Sequence, residues 1–287
     1  MDENLVFDKE RFVGACSLVE LIEAENGYVQ GLCVPKGSKR VTSRVGREGE
    51  ANIGGLGEGT LHLVLKNYIS ANRENQEIKY GKKVIDVFLD GRAYEIQTRN
   101  FASLKSKLAK FLPEIPVTVV FPAIREKHIA WTDPETGELT DFRKSPKKEN
   151  VYTLFSELIY IKDYISDKNL SFCVFELAAN ETKLLSGRSS DRKKYGAVRL
   201  NRVPTELFGV EYFESFRDFL RLLPKEDEVT AKSLAGFAGI DKRLAQKALY
   251  CLCHAGLIYH LRTEKREKIY SVNNENQNIL NSERRTL

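Results

Sequence analysis

The chain has 287 residues, enough for two domains of ordinary size, and its 42% apolar residues allow each to bury a core. Charged residues make up 30%, with a net charge of +5 and a pI near 8.8, a mildly basic balance that permits a polyanionic partner without requiring one. There is no apolar run of transmembrane length, no apolar signal core in the first eleven residues, and an odd set of scattered cysteines (Cys16, Cys33, Cys173, Cys251, Cys253), which argue against a membrane span and a disulfide framework and lead to the expectation of a reduced, cytoplasmic protein.

In chain order, residues 1–50 form an N-terminal extension. Residues 17–24 and 28–34 are candidate strands around Asn26-Gly27, a hairpin turn signal. Residues 36–50 are polar and Gly-rich, as in a loop. From 51 to 185 the pattern sharpens into a single domain. Leu61, Val64, Leu65, Tyr68 and Ile69 recur at helical spacing. Three short strands follow, 77–80, 83–89 and 92–98, separated by the turns Gly81-Lys82 and Asp90-Gly91. A second amphipathic helix covers 101–112, and 117–121 is an apolar run suited to a buried strand. A hairpin over 127–143, a helix over 152–165 and a strand over 170–177 extend the domain. Residues 186–223 are a basic connector and a helix from 208. Residues 224–272 form a last module, and 273–287 a polar tail expected to be disordered.

The Asp90-Gly91 turn sets a register. With these two as central residues, Leu89 faces Arg92, Val87 faces Tyr94 and Asp86 faces Glu95, while Gln97 shares the sheet face of Glu95. The same count around Gly81-Lys82 sets Glu77 opposite Asp86. Neighbouring carboxylates on a sheet are unfavourable without a cation, and a patch of acids and an amide is a hard-oxygen set suited to Mg²⁺ or Mn²⁺.

These residues resemble the PD-(D/E)XK nuclease superfamily. Its signature is an acid on the second core strand and Glu-X-Lys on the third, here Asp86 after Ile85 and Glu95-Ile96-Gln97. The resemblance covers 58–122. It implies an α/β (α+β) protein with a restriction-endonuclease-like αβββαβ core. It further implies a metal-dependent endonuclease hydrolysing DNA phosphodiesters, with Glu58, Asp86, Glu95 and Gln97 as catalytic residues. The metal set would be Asp86 and Glu95, with the Ile96 carbonyl and with Glu58 or Glu77 assisting. Gln97 stands where the family has lysine, and Lys105 or Lys107 on the next helix is placed to supply the missing charge. His62, one turn after Glu58, is expected to be an ordinary polar helix residue. The stretch 54–60 looks like a phosphate loop but lacks its lysine.

Arg188, Arg192, Lys193, Lys194, Arg199 and Arg202 form a basic run suited to phosphates. Residues 228–272 resemble a winged helix-turn-helix domain. There the second helix would present Lys242, Arg243, Gln246 and Lys247 to the major groove, and the wing Arg262, Lys265 and Arg266. Double-strand cutting would draw on two sites and so on a homodimer. Two other readings stay open: a DNA-binding regulator on a nuclease fold that has lost catalysis, and a protein-interaction subunit of a defence or repair complex.

Overall fold

The computed structural model describes residues 2–25, 59–133, 136, 138–185 and 197–273. The N-terminal segment is α1 (Lys9–Glu25), followed by α2 (Thr60–Ile69). Then come β1 (Gln76–Tyr80), β2 (Lys83–Leu89), β3 (Arg92–Ile96), a 3-10 turn (Phe101–Leu104) leading into α3 (Lys105–Phe111), and β4 (Val117–Thr132). The helix, three-strand meander, helix, strand order is that expected from the sequence. The chain continues through β5 (Arg143–Lys144), a 3-10 turn (Val151–Leu154) with α4 (Phe155–Leu158), β6 (Leu170–Leu185) and β7 (Ala197–Phe213). After a 3-10 helix (Phe216–Leu222) come β8 (Glu228–Thr230), α5 (Ala231–Ala238), α6 (Lys242–His254), β9 (Ile258–Glu264) and β10 (Glu267–Val272).

The large sheet is mixed, with order β1-β2-β3-β4-β6-β7. The meander is antiparallel, β3, β4 and β6 run parallel, and β7 returns antiparallel on β6. β5 pairs with the far half of β4, beyond the stretch that β3 covers. Asp90 and Gly91 both have left-handed backbones (φ 52° and 75°), as a two-residue hairpin turn of matching twist requires. Leu89 accordingly pairs with Arg92 and Val87 with Tyr94.

Each face of the sheet is covered. On one, Phe12 and Val19 of α1 and Leu61, Val64, Leu65 and Tyr68 of α2 pack against Val87, Tyr94, Ile96, Val120 and Phe175. On the other, Leu104, Leu108 and Phe111 pack with Ile85, Val117 and Val119, and the same apolar cluster runs on through Phe155 and Phe219 to Leu234, Ala245, Leu249 and Leu252. Phe219 is fully buried, stacked on Phe213 at 4.1 Å and edge-on to Phe155 and Phe172 at 5.4 and 5.7 Å. Burying such a ring contributes roughly 2–3 kcal/mol each. The C-terminal module therefore shares a core with the sheet. The Asn150 amide donating to the Ala238 carbonyl at 3.4 Å ties the two further.

Several expectations are corrected. Residues 17–24 lie in α1 rather than a strand, because Phe12, Ala15 and Val19 bury one helical stripe that begins upstream of Ser17. The 28–34 strand and the 36–50 loop lie outside the described residues. Within the expected N-terminal extension, the described helix α1 packs on α2 and the sheet. The expected connector and helix over 186–223 contain β7, which pairs along its length with β6; among the described residues of that span only 216–222 is helical. The expected 152–165 helix shrinks to α4 and its 3-10 entry, capped by Asn150. The strand from 170 extends to Leu185.

The small sheet has order β8-β10-β9 and sits beside α5 and α6. Thr230 and Asp241 cap these helices through their side chains, and Gly239 ends α5 in the left-handed region. At the β9–β10 tip Lys265 and Arg266 both have positive φ (45° and 67°), a conformation that asparagine and glycine adopt with less strain. The double substitution Lys265→Asn, Arg266→Gly is expected to stabilise the fold by about 1 kcal/mol, read as a higher urea midpoint at unchanged m-value.

Candidate active site

The β2–β3 hairpin opens next to its acids. Strand pairing runs from the turn back to Val87–Tyr94, and at the next position the Asp86 carboxylate takes the place of a strand partner, accepting the Ile96 N–H at 2.8 Å. α2 and α3 reach this opening from either side. His62 Nε2 of α2 lies 3.3 Å from Asp86 Oδ2. Lys107 Nζ of α3 lies 2.6 Å from Glu95 Oε2 and 3.7 Å from Asp86 Oδ1. The amphipathic period of α3 explains the latter: Leu104, Leu108 and Phe111 are buried, and Lys107, at the border of that stripe, extends its ammonium to the carboxylates.

The two acids differ electrostatically. Glu95 is 1% exposed, and burial first and then the Asp86 charge push its carboxyl up to about 8 against the pull of Lys107. Burial also opposes ionisation of Asp86, but its hydrogen bond to His62, the His62 and Lys107 charges and the Ile96 N–H outweigh that and hold its carboxyl below the usual range. Glu95 Oε1 is buried with no hydrogen-bond partner among the described residues. A buried, unpaired carboxylate oxygen beside a second carboxylate is the arrangement a cation satisfies.

Among the described residues no group of three or more His, Cys, Asp or Glu side chains forms a metal cage. A divalent ion here would rest on Asp86 and Glu95 and take its remaining oxygens from main chain, water and substrate, which suits Mg²⁺.

Other expected site residues fall elsewhere. Glu77 stands opposite Asp86 in register, between the pairs Gln76–Val87 and Ile78–Ile85. Its backbone is left-handed (φ 54°), however, and its carboxylate pairs with Lys66 of α2 at 3.1 Å, which takes it away from the acid pair. The Gln97 amide is turned onto the following loop, donating to the carbonyls of Arg99 and Asn100 rather than to the acids. Lys105 is exposed, so of the two lysines it is Lys107 that reaches the site. Glu58, Arg188, Arg192, Lys193 and Lys194 lie outside the described residues.

His62 is a site neighbour rather than an ordinary surface residue. Its one sequence signal is a four-residue spacing from Glu58. The sequence reading also missed Lys127, Glu181 and Lys183. Charged residues within otherwise apolar strand runs were the available signal.

Arg199 and Arg202 are strand residues of β7. With His62, Thr98 and Asn201 they line a cavity of about 360 Å³, so this cavity adjoins the acid pair through His62. On α6, Lys242, Arg243 and Gln246 are exposed and Lys247 is half-buried, with Lys242 paired to Glu267 at 3.2 Å. Arg262 departs from expectation: Glu228 clamps it in two hydrogen bonds of 2.6 and 2.7 Å and Glu264 adds a third, so its charge is already neutralised. Lys265 and Arg266 stand exposed at the hairpin tip.

Residues 59–214 match the family described as Domain of unknown function (DUF8091), a span running from the start of α2 to the end of β7 and covering more than half of the chain. The chain belongs to this family. It is also similar to an uncharacterized protein of Treponema pallidum (strain Nichols), with 30% identity over 162 residues, 56% of this chain and 62% of that protein. No solved structure matches the chain. No helix of the described residues is long and apolar enough to cross a membrane.

Proposed function

We propose that this family member is a metal-dependent nuclease of the restriction-endonuclease-like kind, cleaving phosphodiester bonds in DNA. The observation that carries the reading is the unpaired, buried Glu95 Oε1 beside Asp86, with Lys107 across both carboxylates. Asp86 and Glu95 would hold Mg²⁺ or Mn²⁺, joined by the Ile96 carbonyl and by Glu58. Such an ion, when bound, would supply Lewis-acid charge stabilisation and a more acidic bound water. In this reading Lys107 takes the role of the nuclease superfamily's motif lysine from a different element, placing positive charge where the attacked phosphate gathers negative charge. His62 orients Asp86 through the contact of its Nε2 with Oδ2. Ile96 N–H fixes the Asp86 rotamer, so that the acid pair is rigid before substrate arrives.

The β8-α5-α6-β9-β10 order supports reading this module as a winged helix. In this reading Arg243, Gln246 and Lys247 contact DNA from α6, Lys265 and Arg266 from the tip, and Arg199 and Arg202 from the sheet. The double variant Arg243→Ala, Lys247→Ala is expected to weaken DNA binding about tenfold at moderate salt and to lower the slope of log K against log salt by about 1–2. Fluorescence anisotropy at several salt concentrations checks it, and an unchanged slope removes α6 from the interface.

A second reading, a DNA-binding regulator without catalysis, is favoured by the Gln97 amide engaged with its own loop. Purified protein incubated with supercoiled plasmid and Mg²⁺ or Mn²⁺ separates the two. Nicking supports the nuclease. Binding without nicking supports the regulator, and no binding at low salt leaves a protein-interaction subunit.

A further inference from the structure

Beside Arg199 and Arg202, which line the cavity that adjoins the acid pair, one buried carboxylate is surrounded by four cations. Glu181 of β6 is 4% exposed. Arg202 of β7, its partner in the strand register, donates to Glu181 Oε2 through Nε at 3.1 Å and Nη2 at 2.7 Å. The other three cations stand beyond hydrogen-bond contact or at its edge: Lys127 Nζ of β4 at 3.8 Å, Arg199 Nη1 of β7 at 3.9 Å, and Lys183 Nζ of β6 at 3.5 Å from Oε1. Arg202 saturates Oε2, toward which Lys127 and Arg199 are also drawn, while Lys183 faces Oε1 and lies 5.2 Å from the centre of the Trp131 ring.

The cluster is thus three positive charges in excess, held on three adjacent strands that cannot relax apart. Glu149, which also acts on Lys127, accepts the Ile124 N–H and faces Lys147 at 3.8 Å. Burial, followed by the Arg202 and Lys183 charges, pushes the Lys127 ammonium down despite Glu181 and Glu149. An anion bound beside these cations would relieve their like-charge crowding. Lys183 and Arg199 retain 24% and 31% side-chain exposure, so an anion can reach them. The cavity lined by Arg199 and Arg202 is also lined by His62, whose ring touches Asp86.

We infer that Lys127, Lys183 and Arg199, held in place by the Glu181–Arg202 pair, bind a backbone phosphate of the same nucleic-acid strand that reaches Asp86 and Glu95. This rests on the nuclease reading for the identity of the strand, but the anion site is testable without it. Phosphate held at a fixed distance from the acid pair sets the register of the strand, so the cluster positions the substrate rather than reacting with it.

The test uses the full chain and the double variant Lys183→Gln, Arg199→Gln, which keeps the Glu181–Arg202 pair. In chelator, inorganic phosphate is expected to raise the melting temperature of the wild type above that in sodium chloride of equal ionic strength, and to leave the variant unmoved. With a labelled DNA duplex in Ca²⁺, the variant is expected to bind more weakly and to lose about 0.9 from the salt slope, the value of one phosphate contact. No phosphate effect on the wild type overturns the anion site. A phosphate effect with an unchanged DNA slope, or with no DNA binding by the wild type, overturns the nucleic-acid assignment in favour of a free phosphate ligand. Failure of the nuclease reading shows separately, as absence of plasmid nicking by the wild type.

Discussion

Replacing Asp86 by Asn, Glu95 by Gln or Lys107 by Met is expected to lower plasmid nicking by about 10²–10³-fold or more while DNA affinity in Ca²⁺ changes little. The three act on one centre: two carboxylates share a cation site and one ammonium bridges them, so the double variant Asp86→Asn, Lys107→Met should lose little beyond the worse single variant. Initial rates of nicking with Mg²⁺, measured beside anisotropy titrations, check this. Undiminished cleavage by Asp86→Asn would remove the acid pair from catalysis.

The same site has a stability signature. Glu95 has a carboxyl raised to about 8 by burial and by Asp86, against roughly 4.3 in an unfolded chain. A raised carboxyl favours the folded state only while protonated. Its contribution is complete below the unfolded value and is lost as pH rises through the folded one. Metal-free protein is therefore expected to lose thermal stability between about pH 5 and pH 8, and divalent ion to restore it at the upper end. Glu95→Gln should flatten the decline and melt higher than the wild type near pH 8, as expected where function retains a costly group. Differential scanning calorimetry in chelator and in Mn²⁺ gives both curves; a wild type more stable at pH 8 than at pH 5 without metal contradicts the assignment.

The second large effect is expected at Glu181. Glu181→Leu leaves Lys127, Lys183, Arg199 and Arg202 together without their one shared carboxylate. Removing the acid from a buried charge cluster costs roughly 3 kcal/mol. Folded protein should be recovered by high phosphate, because an anion takes over the lost charge. Its sign against pH is opposite to that of Glu95. Burial disfavours the charged form of Glu181, but Arg202, Lys127 and Lys183 outweigh it and hold its carboxyl below the usual range. The stability it contributes is present above the unfolded value and is lost only as pH falls through the folded one. Urea unfolding of Glu181→Leu with and without phosphate tests the point, and a variant as stable as the wild type would show the cluster to be a solvated surface.

How much was legible beforehand depended on whether the determining interaction was local. The β2–β3 register could be counted from Asp90-Gly91 because a two-residue turn with two positive φ values leaves one pairing. The nearness of Asp86 and Glu95 followed, as did the exposed face of α6, whose buried stripe of Ala245, Ala248, Leu249 and Leu252 has helical period. Glu77 was set opposite Asp86 by the same count, yet a left-handed backbone and Lys66 turned its side chain elsewhere, which no register predicts.

By itself, then, the sequence determined the elements whose causes lie within a few residues of one another: turns, caps, helical stripes and the hairpin that pairs two acids. Only the tertiary structure decided that Lys107 rather than Gln97 faces those acids, that α1 and β7 belong to the same unit as the meander, and that Lys127, Lys183, Arg199 and Arg202 meet around Glu181. The reason is physical. A strand such as β7 is stabilised by hydrogen bonds to a neighbour distant in the chain, and a basic stretch is the same string of letters whether it lies in water or closes on a buried carboxylate.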